Sequence, residues 1–221
     1  MLRLVTLVAS LSLAVPGAAL ACGSSGYSYA GVSSRDHVHG IAATMSALAA
    51  PAVQNGHVAG WVGVGGPGLG PNGSDEWIQV GYSGFPGLTA GSLYYEVALP
   101  GKAPAYNEVL SSVLPGTQHR LAVLELAGRP DWWRVWVDGR PASRPYHLPG
   151  SHGAWPGIAT AENWGGGVHA CNGYAYRFDD VSLAYGAGGS WRPLSAYTPL
   201  HGGGNRLLLS SPSSFVARAN P

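Results

Sequence analysis

The chain has 221 residues, 46% of them hydrophobic and only 10% charged, with a formal net charge of +1. That is enough for one domain with a sizeable core. No basic stripe exists to neutralise phosphates, which argues against nucleic acid as a partner, and the low charge argues against long charged disordered tails.

The first residues, "MLRLVTLVASLSLAVPGAALAC", have the pattern of an export signal. Arg3 supplies the positive start, Leu4 to Val15 the apolar run, and Ala19-Leu20-Ala21 the small-x-small cleavage pattern. Residues 1–21 are therefore expected to be removed and the protein to be secreted. No later stretch is long and apolar enough for a membrane span. Two cysteines, Cys22 and Cys171, form an even count in an exported chain, which suggests a disulfide. The alternative is a lipid-anchored Cys22 at the cleavage point, although Ala19 stands where such signals usually carry leucine.

The rest of the chain reads as short strands. "YSYAGV" (27–32) is aromatic and extended. "VHGIAATMSAL" (38–48) alternates loosely, and Gly40, Thr44 and the following Pro51 favour strand over a turn of helix. "HVAGWVGVGG" (57–66), "EWIQVGY" (76–82), "SLYYEVAL" (92–99) and "HRLAVLEL" (119–126) follow, with "PGLGPNGSD" (67–75) as a loop. In "DWWRVWVDGRPAS" (131–143) the alternation of Trp133, Val135 and Val137 ends at Asp138-Gly139, a hairpin signal. "AWPGIATAENW" and "YAYRFDDVSLAY" (174–185) complete the set, and "RLLLSS" and "SSFVAR" suggest one further edge strand in a looser C-terminal extension, 186–221. No segment shows a sustained helical period. The expected fold is all-β, a sandwich or barrel of antiparallel strands spanning residues 22–185.

Several motifs fail on context. "GVGGPG" (63–68) matches a dinucleotide fingerprint, but Pro67 and Pro71 forbid the helix it needs. No G-x-S-x-G elbow exists. "HVH" (37–39) puts two imidazoles on one strand face without a third ligand at sensible spacing, so a solvated face is preferred to a metal site. No strand carries the paired acids of retaining glycosidases.

What remains is a set of faces. Trp61 shares a face with Gly63; Trp77, Gln79 and Gly81 share one; Tyr94 and Glu96 share one; Ile158, Thr160, Glu162 and Trp164 share one. If these faces line one groove, an amide and a carboxylate meet between indole and phenol walls. Aromatic walls lower the local dielectric and accept a chain substrate. A desolvated carboxylate can take and return a proton, and an amide beside it can donate to an oxyanion.

The blocks "AGWVGVGG", "WIQVGY", "LYYEV" and "ATAENW" resemble the ordered motifs of the glutamic peptidases, the eqolisin family. That family's pattern runs roughly W-V-G-I-D-G, L-Q-T-G-F, W-Y-E-W and I-I-E-D-F. The resemblance covers about residues 27–185 and implies a concanavalin A-like sandwich of two antiparallel seven-stranded sheets. It implies that Gln79 and Glu162 match the catalytic glutamine and glutamate, and that Trp61 and Glu96 match residues that line or support the site; Tyr94 and Trp164, placed on the same faces by the alternation, are expected to bind substrate or support the site. It implies a peptide substrate, no metal and no cofactor; a monomer is expected. Two departures stand out: Gly65 and Ser83 replace family aspartates. The competing expectation is a noncatalytic lectin-like module that binds glycan or peptide in the same groove.

Overall fold

The computed structural model describes residues 25–219. The expected export signal and Cys22, and with it one end of the expected disulfide, lie outside the described residues. Among the described residues, sixteen strands and a single 3-10 turn at Pro71–Gly73 make up the regular structure. Among the described residues no helix is long and apolar enough to cross a membrane.

Strands β1 (Tyr27–Val38), β2 (Gly40–Ala47), β3 (His57–Gly66), β4 (Glu76–Gly84), β5 (Gly91–Ala98), β6 (Ala105–Val113), β7 (Gln118–Glu125) and β8 (Trp132–Val137) come first. Two short strands follow, β9 (Arg140–Pro141) and β10 (Tyr146–His147), then β11 (Trp155–Trp164) and β12 (Ala175–Ala184). The C-terminal extension supplies β13 (Trp191–Pro193), β14 (Tyr197–His201), β15 (Asn205–Ser211) and β16 (Ser214–Ala219). One sheet runs β14-β1-β11-β3-β4-β5-β6; the other runs β10-β8-β7-β2-β12-β16-β15, with β13 and β9 attached at its side. All pairings are antiparallel. The sandwich expected from the alternation is thus observed, and the second sheet has nine strands rather than seven.

The alternation in β3 shows why the sheets stack. Val58, Val62 and Val64 enter the main core with Ile78, Val80 and Tyr82 of β4 and Ala159 and Ala161 of β11. The second sheet answers with Ile41, Met45, Leu121, Val123, Trp133 and Phe178. Fully burying each aliphatic side chain contributes about 1.5–3 kcal/mol. The Tyr82 hydroxyl crosses the interface and donates to the carbonyls of Met45 and Thr117, both at 3.2 Å. Asp138 and Gly139 both take positive φ (50° and 75°), the two-residue turn that their sequence predicts.

Candidate functional site

Residues directly opposite each other in a ladder share a face. On the seven-stranded sheet, one outward row holds Tyr29, Glu162, Ala59, Ser83 and Ser92. The next holds Thr160, Trp61, Gly81 and Tyr94, and the next Ile158, Gly63, Gln79 and Glu96. Trp77 lies one row further, and Trp164 and His57 share a row at the other end. Trp61, Trp77, Gln79, Tyr94, Glu96, Glu162 and Trp164 therefore all face the same side.

That side points away from the main core, yet it is not simply solvated. Ala59, Trp61 and Tyr94 form a second buried cluster, with Tyr29 and Ile158 packed against it. Gln79 and Glu162 are only 7% and 8% exposed. Small residues in the ladder make room for these rings. At Gly81, between Trp61 and Tyr94, an added Cβ would lie 2.0 Å from the Gly60 carbonyl oxygen. The strands are packed too closely there for any side chain.

Glu162 is held at both oxygens. Oε1 lies 2.8 Å from His57 Nε2, and Oε2 accepts from the Trp61 indole at 3.2 Å. His57 in turn packs among Tyr27, Phe85 and Trp164. Gln79 Nε2 donates to the Tyr94 hydroxyl at 3.0 Å. Glu96 lies opposite Gln79 and accepts from the Trp77 indole at 3.0 Å. Burial pushes the Glu96 carboxyl up; the Trp77 bond pulls it back, and the charge of Glu162 raises it again. Burial also lifts the phenols of Tyr29 and Tyr94, with the Glu162 charge adding to the rise.

Gln79 and Glu162 make no hydrogen bond to each other. They stand on β4 and β11, on either side of β3, staggered by four residues, or about 13 Å along the strands. The space between them belongs to the row of Trp61 and Tyr94. The polar heads thus form two linked groups, His57–Glu162–Trp61 and Tyr94–Gln79, across one aromatic floor.

His57 is a site residue that sequence reasoning missed. Its only signal was its place four residues before Trp61, on the same strand face. The two departures from the family pattern have local causes. Gly65 has φ +86°, and a Cβ there would lie 2.3 Å from the Glu76 carbonyl oxygen, so this backbone admits no aspartate. Ser83 is buried and lies 2.8 Å from the Tyr106 hydroxyl. A cavity of about 520 Å³ lies elsewhere, on the outer face of the nine-stranded sheet, lined by Ala42, Ala122, Trp136 and Trp191 among others. It contains neither Gln79 nor Glu162, so the residue chemistry, not the size of the hollow, marks the candidate site.

No protein-family model matches the chain, and no curated protein matches it. Solved structures do. Scytalido-glutamic peptidase, solved with a peptide-based transition-state analog, aligns over 89% of this chain and 98% of its own, at 12% identity and a TM-score of 0.52. This is a glutamic peptidase-like fold. SCP-B, a member of the eqolisin family solved with the tripeptide Ala-Ile-His, aligns over 89% of this chain and 98% of its own, at 14% identity and a TM-score of 0.49. The PL7 alginate lyase AlyA1 from Zobellia galactanivorans aligns over 75% of this chain and 64% of its own, at 11% identity and a TM-score of 0.48.

Proposed function

We propose that the chain is a secreted endopeptidase of the glutamic type, with Glu162 as general base and Gln79 as the oxyanion donor. The observation that carries this reading is the burial of Gln79 and Glu162 on the sheet face that turns away from the core. An acid and an amide are buried there against the Trp61 indole and the Tyr94 hydroxyl, a few convergent polar groups among aromatic rings, as a ligand site requires.

In this reading a peptide lies across the floor of Trp61 and Tyr94. Glu162 takes a proton from water as its oxygen attacks the scissile carbonyl carbon. The developing oxyanion accepts from the Gln79 amide, with the Tyr94 hydroxyl behind it. The C–N bond then breaks, and Glu162 returns the proton to the leaving amine. His57 and the Trp61 indole hold the carboxylate oriented through the cycle. Residues 1–21 direct export, and Cys22 pairs with Cys171.

The stagger between Gln79 and Glu162, together with the exposed Tyr27 ring stacked on Trp164 at 5.7 Å, favours a second reading. There the face grips a peptide or glycan without cleaving it. Incubation of the purified chain with an unfolded protein substrate, with pepstatin and a chelator present, separates the two. Peptide products found by mass spectrometry, and lost in Gln79→Ala and Glu162→Ala variants, support the peptidase. Binding without products supports the module.

A further inference from the structure

The motif "HVH" leaves the site above without using its histidines, and the fold takes the two apart. His37 is exposed on β1. His39 lies in the corner between β1 and β2, where its Nδ1 sits 2.6 Å from Glu125 Oε2. The third ligand that the sequence did not supply comes from far along the chain. His152 Nδ1 sits 2.9 Å from Glu125 Oε1. The two imidazoles meet edge to face with centroids 4.8 Å apart.

We propose that His39, Glu125 and His152 form a binding site for a divalent transition-metal ion of the zinc class. One ligand atom from each residue lies within 4.8 Å of the others. Two imidazole nitrogens and one carboxylate oxygen, with a fourth position left to water, form a donor set that suits zinc in tetrahedral geometry. Ligand atoms around such an ion stand about 3.3 Å apart, given metal–ligand distances of about 2.0–2.1 Å. The present nitrogen–oxygen separations must therefore open by about half an ångström. His152 can make that movement: its side chain is 52% exposed and it lies in the turn that follows Leu148.

The surroundings already orient the ligands. Glu125 is fully buried at the end of β7, and its Oε1 also accepts from the Asp131 backbone N–H at 2.7 Å. Asp131 Oδ1 accepts from the His152 backbone N–H at 2.8 Å. Ser151 Oγ accepts from the Trp133 indole at 2.7 Å, which fixes the turn against the core. Such outer partners hold ligands in place. Binding would replace the two hydrogen bonds to Glu125 by metal bonds and release protons.

The ion would tie together the β1–β2 corner, the end of β7 and the 148–154 turn. This corner is at the far end of β1 from Tyr29, the neighbour of Glu162, on the order of 30 Å along the strand. The role is therefore structural, and it does not depend on the peptidase reading.

The test is isothermal titration of the full chain, under non-reducing conditions, with zinc chloride, followed by thermal melting with and without the metal. The expected result is one equivalent bound and a raised melting temperature. His152→Ala, at an exposed position, should fold normally and bind at least about 100-fold more weakly. His39→Ala should do the same, while His119→Ala, which pairs with Asp138 elsewhere, should bind as the wild type. Absence of uptake by the wild type overturns the proposal. So does unchanged affinity in His152→Ala.

Discussion

Glu76 opens β4, the strand that carries Gln79, and it is the buried acid with nothing to hold. Its side chain has no solvent exposure, and neither carboxylate oxygen has a hydrogen-bond partner. Burial pushes its carboxyl up from 4.5 to about 7, with the charge of Asp131 adding. At about 1.4 kcal/mol per tenfold change in proton affinity, that rise corresponds to roughly 3 kcal/mol. A carboxyl whose folded pKa exceeds its unfolded one favours the fold fully at pH below 4.5 and loses that contribution as pH rises through about 7. The wild type should therefore lose roughly 3 kcal/mol of stability between about pH 4 and pH 8 through this group. Glu76→Gln, neutral at every pH, should not. Urea unfolding of both proteins across that range reads the difference directly. Parallel stability curves would refute the reasoning.

Three more outcomes follow from the same contacts. Trp61→Phe keeps an aromatic floor but removes the indole N–H from Glu162, and should lower kcat of the proposed reaction by about tenfold or more with little change in melting temperature. Glu96→Gln replaces a carboxyl that burial has already pushed up; it should raise stability at neutral pH relative to the wild type, and the gain should vanish in acid. Tyr82→Phe leaves the buried Met45 carbonyl without its hydroxyl donor and should cost about 1–3 kcal/mol in denaturant unfolding.

Much of this architecture is local and was readable. The two-residue alternation of β3, β4 and β11 gave both the core side and the outward side, and Asp138-Gly139 gave its hairpin. The strand β6 was not legible, because it is an exposed edge with Asn107, Glu108 and two serines and almost no buried side chain. The extension after residue 185 suggested one edge strand; it supplies four, short and broken by proline and glycine, which join the edges of both sheets. The reading of "HVH" as a solvated face fails at His39, which turns inward to Glu125. Its partners come from β7 and the 148–154 turn, a proximity that no local spacing encodes. His57 was hidden for a related reason: a single histidine in a β-branched strand announces nothing until β11 lays Glu162 beside it.

In the proposed peptide hydrolysis it is Glu162 that moves the proton. Steady-state cleavage of a fluorogenic peptide by the wild type and by Glu162→Gln, with circular dichroism confirming equal folding, tests it most directly. Glutamine keeps the size and a hydrogen bond to His57 but cannot take a proton. Measurable wild-type turnover is expected, with a loss in kcat of about 100-fold to 10,000-fold in the variant. Equal rates in the two proteins, or no cleavage by the wild type at any pH, would contradict it.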